Sequence, residues 1–385
     1  MNQNPTHAEK KFFVPAFVAL SLCLLTPTLH AQLGFIQTNL VSDIPGMAAV
    51  TDARLVNPWG ISYGPGGPFW ISDAGTGLST VYNTAGAIQA PVSTIPNPAG
   101  GISTPTGQVF NGGTAFNSDR FIFATEQGTI AGWRGALGTG GETLFNNSAQ
   151  GAIYKGLAIS TIGANTYLYA TDFHNGRIDI FSNAGAPVLA GNFISPSLPA
   201  GYAPFNVQNL GGKLYVTYAL QDANRADDVA GAGHGFVDVF DLNGVFQQRL
   251  IVGGVLNSPW GVAIAPNSFG SLAGSLLVGN FGDGTINAFD ILTGAYRDVL
   301  RDINGKPIVN EGLWGLIVGN GGNGGDANSL YITAGISGGG DIEDHGLFAR
   351  ITPVPEPGTL LAGATLGLFC VIAIIRRRSA PVAKE

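Results

Sequence analysis

Residues 167–181 decide the fold: Tyr167-Leu168-Tyr169-Ala170-Thr171-Asp172, then Phe173-His174-Asn175-Gly176, then Arg177-Ile178-Asp179-Ile180-Phe181. Two short runs of aromatic and β-branched residues joined by an Asn-Gly turn are the signature of a hairpin. The same arrangement returns at Phe69–Asp73, Gly75-Thr76-Gly77 and Leu78–Tyr82, and again at Leu276–Asn280, Gly282-Asp283-Gly284 and Ile286–Phe289. Each hairpin is preceded by a segment with a small or turn residue: Asn57-Pro58-Trp59-Gly60, Thr104-Pro105-Thr106-Gly107, Tyr154-Lys155-Gly156, Pro204-Phe205-Asn206, Ser258-Pro259-Trp260-Gly261 and Gly312-Leu313-Trp314-Gly315. From Gly60 through Gly107, Gly156, Asn206, Gly261 and Gly315 the steps are 47, 49, 50, 55 and 54 residues. A fourth apolar stretch follows most units, as at residues 188–194 and 245–251.

A unit of four strands copied six times predicts an all-β, six-bladed β-propeller over residues 32–353. The sixth copy stops at its third strand, residues 347–351, so residues 35–41 are expected to supply its fourth and close the ring. Closure removes the open sheet edges that invite aggregation. Composition agrees: 58 of 385 residues are glycine and only 11% are charged, which suits tight turns and crowded inner strands better than long surface helices. At the level of fold the middle of the chain is similar to NHL-like and lactonase-like propellers.

Both ends read as addresses. Residues 1–31 carry Lys10-Lys11, an apolar run at 12–25 and Leu29-His30-Ala31, the three parts of a secretory signal peptide, with an uncleaved anchor as the alternative. Leu22 is too large to precede a lipoprotein cysteine at Cys23. Residues 354–379 hold Pro355-Glu356-Pro357, an uncharged run at 359–375 and Arg376-Arg377-Arg378. Seventeen residues is the lower limit for a spanning helix, and the arginines would keep its end cytoplasmic. This order of motif, apolar helix and basic stop closely resembles the PEP-CTERM signal that exosortase recognises in Gram-negative bacteria. The resemblance implies export through the secretion machinery, transient anchoring in the membrane, processing near the motif and delivery to the cell surface or extracellular matrix. A permanent single-span anchor is the other reading.

Between residues 32 and 353 there are 12 Lys or Arg against 22 Asp or Glu, so no basic stripe is available for nucleic acid. The two cysteines, Cys23 and Cys370, lie in the terminal apolar segments, leaving the middle without disulfide or thiol chemistry.

In a four-stranded blade, the start of the inner strand and the turn after the second strand share one face. The turns therefore present Asp73, Glu126, Asp172, Gln221 and Asn280 around one mouth, with His174, His234, His345, Asp222, Asp283 and Asp344 nearby and Trp59, Trp260 and Trp314 at the strand starts. A rim of oxygens suits a hard cation such as Ca²⁺, and regucalcin-like and gluconolactonase-like propellers, similar in fold, hold a divalent metal at such a mouth. The competing reading is structural: Asp and Asn cap turns, tryptophans pack between blades, and each histidine sits just before a turn glycine. Two insertions, residues 222–235 and 335–346, fall on the same mouth, where long loops on a rigid scaffold concentrate binding. Gly335-Ile336-Ser337-Gly338-Gly339 and Gly319-Asn320-Gly321-Gly322-Asn323-Gly324 match a nucleophile elbow and a dinucleotide fingerprint in form only, because no helix follows either. The expectation is thus a non-catalytic surface or matrix protein that binds a polysaccharide, protein or cation through one face. The alternative is a metal-dependent hydrolase or lactonase.

Overall fold

The computed structural model describes Met1, residues 34–187 and residues 189–354. The expected signal peptide, the Pro355-Glu356-Pro357 motif, the apolar run and the arginine cluster lie outside them. Among the described residues no helix is long and apolar enough to cross a membrane.

Six sheets form the six blades, antiparallel but for the short strand Val50–Thr51 that joins blade 6 in parallel, and the inner strand of each starts at the repeat. These strands are Pro58–Ser62, Pro105–Phe110, Tyr154–Ile162, Tyr202–Leu210, Pro259–Ile264 and Leu313–Val318. Each packs against the next all the way round, and the sixth returns to the first, so the ring is closed. The recurring glycine is what lets the inner strands come this close. A Cβ on Gly107 would lie 2.4 Å from the backbone nitrogen of Leu157, and one on Gly261 would lie 2.4 Å from the Trp314 carbonyl oxygen. Blade 4 departs from the pattern with Asn206, whose side-chain amide donates to the Trp260 carbonyl at 2.9 Å. Threonines of the second strands bridge blades in the same layer. Thr171 donates to the Phe205 carbonyl at 3.1 Å, and Thr333 donates to the Trp59 carbonyl at 2.5 Å.

The first strand, Phe35–Ser42, pairs antiparallel with Leu347–Pro353 and completes blade 6, as the truncated sixth repeat required. Apolar side chains fill the spaces between blades. Leu277, Ile286 and Ala288 of blade 5 pack with Leu316, Leu330, Ile332 and Ile351 of blade 6, and Phe35 joins the same cluster.

Blade 3 differs from expectation. It has three strands, Tyr154–Ile162, Asn165–Asp172 and Arg177–Ser182, and residues 189–194 form no fourth. That segment docks on blade 4 instead: the Gly191 and Phe193 amides donate to the Asn243 and Gly244 carbonyls at 2.9 and 3.0 Å. Phe193 has a left-handed φ of 55° and packs its ring against Tyr169 and Phe240, a conformation that cannot continue a strand.

Candidate functional site: the mouth of the channel

The mouth is built where inner strands start. Asn57 has a left-handed φ of 46°, which asparagine tolerates better than most residues, and this turns the chain into Pro58 and Trp59. Its side chain makes two long-range contacts: Oδ1 accepts the Trp314 Nε1–H at 3.1 Å, and Nδ2 donates to Glu343 Oε1 at 3.0 Å. Glu343 belongs to the insertion at 335–346. The insertion at 222–235 reaches the same place through Asp227, whose Oδ1 accepts Lys155 Nζ at 2.9 Å. Glu126 is the second carboxylate on that ammonium.

Lys155 is the centre of the arrangement. Its side chain is 1% exposed, held by two carboxylates, with Nζ 5.1 Å above the Trp59 ring. Burial works against its charge, but Glu126 and Asp227 outweigh that and hold it firmly protonated. Among the described residues no cation lies within ion-pair distance of Glu343. Burial pushes its carboxyl up to about 7, against the hydrogen bond from Asn57. Asn57, Trp59, Glu126, Ile153, Ala226, Asp227 and Glu343 line a cavity of about 240 Å³.

The tryptophans start the inner strands of the consecutive blades 5, 6 and 1 and pack on one another to form a floor, as the structural reading of packing between blades had it. Trp59 and Trp314 stack with centroids 3.4 Å apart, and Trp260 meets both edge-on at 5.9 and 5.8 Å. Phe281 stacks on Trp314 at 4.1 Å. Below this floor the inner strands enclose a second cavity of about 360 Å³, with Gln108, Asn206 and Trp260 among its lining.

Of the turn residues read from the repeat, only Glu126 reaches the cavity. Asp73 is fully buried in its own turn and accepts the Thr80 amide at 3.1 Å, and burial pushes its carboxyl well above the ordinary range. Asp172 accepts from the Ile153 amide at 3.2 Å and from Asn175 Nδ2 at 2.7 Å. Asn280 accepts the Asn257 amide and donates to the Val255 carbonyl. Asp283 caps the Thr285 amide at 3.0 Å. Gln221 donates to the Phe173 carbonyl. His174 sits beside Gly151 with its Nδ1 buried and unpartnered, His234 Nδ1 meets the Val229 carbonyl at 2.8 Å, and His345 Nδ1 meets Asp43 at 2.6 Å.

The donor set does not fit Ca²⁺. Among the described residues no group of three or more His, Cys, Asp or Glu is placed to hold a metal ion. Two of the three carboxylates that converge at the mouth, Glu126 and Asp227, already enclose an ammonium. Asn57, Lys155, Asp227 and Glu343 were not read as site residues. The signals for them were a lysine inside an inner-strand start, in a chain with only 12 Lys or Arg between positions 32 and 353, and, for Asp227 and Glu343, their place on the two insertions at the mouth.

Residues 353–378 match the family model of the PEP-CTERM protein-sorting motif, which indicates export and association with the cell surface. The chain is 35% identical over 312 residues to an uncharacterized protein of Acanthamoeba polyphaga mimivirus, covering 77% of this chain and 75% of the relative. A second uncharacterized protein of that virus is 34% identical over 295 residues, 72% of this chain and 77% of the relative. Among solved structures, the soluble aldose sugar dehydrogenase of Escherichia coli is similar with a TM-score of 0.54 at 12% identity, over 83% of this chain and 100% of that one. Virginiamycin B lyase of Staphylococcus aureus follows with a TM-score of 0.50 at 13% identity, over 83% and 99%. At these identities the likeness to solved structures is one of fold alone.

Proposed function

Because the chain belongs to the same family as these uncharacterized mimivirus proteins and ends in a PEP-CTERM signal, we propose that it is an exported, non-catalytic propeller that binds a ligand at its mouth. In this reading exosortase processes the protein near Pro355-Glu356-Pro357 after transient anchoring through residues 359–375, and the propeller then serves at the cell surface or in the extracellular matrix.

The observation that carries the reading is the convergence of two insertions, through Asp227 and Glu343, on Asn57, Trp59 and Glu126 at one cavity. Loops on a rigid ring are a usual place for recognition. The volume, about 240 Å³, lies under the ~300–1,000 Å³ of pockets for drug-sized ligands. It suits one sugar residue of a polysaccharide or one protein side chain. Hydroxyls would find acceptors in Glu343 and Glu126 and a donor in Asn57. With its ammonium built in, the site has no call for Ca²⁺.

The absence of catalysis is supported by Lys155, the one amine in the mouth, being charged and paired and so unable to act as a nucleophile. Calorimetry of the mature propeller against extracellular polysaccharide fragments tests the proposal. Binding that is lost in Glu343→Gln, with folding intact, is the expected result. Turnover of lactone, ester or phosphodiester substrates by the wild type would replace it with the hydrolase alternative.

A further inference from the structure

The place where the chain leaves the ring bears on how the mouth is oriented while the protein is anchored. At the mouth end of blade 6, Leu313 pairs with Ala334, Ala334 with Leu347, and Leu347 with Ser42. At the opposite end Val318 pairs with Leu330 and Leu330 with Ile351. The third strand then continues to Pro353, paired with Phe35, and the Val354 amide donates to the Gly34 carbonyl at 2.9 Å. The chain thus departs from the underside, the face opposite the mouth.

From Val354 only residues 354–358 precede the uncharged run at 359–375. Five residues reach ~17 Å when fully extended, about the height of a five-residue strand. Such a tether is too short to pass from the underside round the rim to the mouth. We propose that the underside faces a lipid surface while the chain is held by its C-terminal run, and that the mouth points away from it. The inference rests on the anchoring part of the functional reading.

Exposed apolar side chains do not choose between the faces, since Ile36, Val245, Leu292 and Tyr296 lie on the underside while Val252, Val255 and Val309 surround the mouth. Charge favours the same choice as the exit. The mouth sets Glu126, Asp227 and Glu343 against the single ammonium of Lys155, and an anionic bilayer would repel it. On the underside, Leu292 is 72% exposed and Tyr296 is 47% exposed, so both are available to a headgroup layer.

The test uses the full chain with Cys23→Ser and Cys370→Ser, carrying a single labelled cysteine from Leu292→Cys or Val255→Cys. Each is reconstituted into phosphatidylcholine–phosphatidylglycerol vesicles containing nitroxide headgroup lipid. Fluorescence at position 292 should be quenched severalfold more than at 255. Equal quenching, stronger quenching at 255, or none at either site overturns the orientation. Flotation with the vesicles is scored separately: a chain that fails to float removes the anchoring reading and the orientation with it, whereas a chain that floats with the wrong quenching pattern removes the orientation alone.

Discussion

The carboxylate of Asp43 meets His345 Nδ1 at 2.6 Å and accepts the Gly346 amide at 2.8 Å, joining the end of the first strand to the loop before the last across 302 positions of sequence. This contact lies at the mouth end of the closure between Phe35–Ser42 and Leu347–Pro353. Hydrogen bonds to a charged group contribute ~1.5–3 kcal/mol each, and the Asp43 side chain is only 9% exposed. Asp43→Ala should lower the unfolding free energy by about 2 kcal/mol in chemical denaturation. Deleting residues 34–42 should do more, exposing the edge of Leu347–Pro353 and producing oligomers on size exclusion. An unchanged melting temperature and monomer fraction after the deletion would refute the closure.

The inner ring makes a sharper demand. Gly107→Ala places a methyl 2.4 Å from a backbone nitrogen that cannot move without shifting blade 3. Overpacking costs ~1–3 kcal/mol in well-packed interiors, and the upper end is expected where backbone meets backbone. Gly135→Ala is the control, because a Cβ there meets nothing within 4 Å. Surface changes of that kind stay within about 0.5 kcal/mol. Similar melting temperatures for the two variants would contradict the close approach of the inner strands.

Asp73 and Asn280 end the second strands of blades 1 and 5. The aspartate is buried, and the larger effect on it is desolvation, which makes it a weaker acid and raises its pKa despite the bonds from Thr80. A carboxyl raised in the folded state contributes stability at low pH that is lost as pH rises above its unfolded value. Asp73→Asn should therefore leave stability near pH 4 unchanged and increase it at pH 8, flattening the profile of melting temperature against pH. A loss of stability at every pH would mean that the carboxylate itself is needed.

The ring was legible because its cause is local and repeated. Gly60, Gly107, Gly156, Gly261 and Gly315 each answer the same steric problem, and a fixed step exposes them. The closing strand was legible because the sixth copy lacked one. The same periodicity misled at the mouth. Asp73, Asp172 and Asn280 recur in step because blades 1, 3 and 5 cap the same turn, and a capping side chain points into its own blade. Of the residues that do converge, Asn57, Glu126 and Lys155 lie within the repeat but differ in type from their counterparts in other blades, and Asp227 and Glu343 lie on the insertions. Lys155 meets Glu126 across 29 positions and Asp227 across 72, and Asn57 meets Glu343 across 286. Two of these partners sit on insertions, whose path depends on the blades beneath them. Residues 189–194 misled for a related reason: their apolar side chains serve blade 4, and periodicity does not reveal which neighbour an apolar run will cover.

Lys155→Met tests whether the ammonium holds the mouth together. Removing one partner of a buried ion pair costs ~3–5 kcal/mol, but the Asp227 side chain is 74% exposed, so screening reduces its share. About 2–3 kcal/mol at pH 8 is the expected loss. The loss should depend on pH with a definite sign. Burial already lifts Glu343 from an ordinary 4.5 to about 7 with the ammonium present, and Lys155 counts among the influences lowering it. In the variant Glu343 rises further, and Glu126 and Asp227 lose their counter-charge. Carboxyls raised in the folded state favour folding at low pH and lose that advantage as pH rises through the interval from 4.5 towards 7 and beyond. The variant should therefore approach wild-type stability near pH 4.5 and fall away steadily to pH 8 in urea titrations. Glu343→Gln in the wild-type background should flatten the existing slope, and combining Lys155→Met with Glu126→Gln should recover part of the loss. A pH-independent deficit would indicate that the lysine stem packs under Trp59 and that its charge does little.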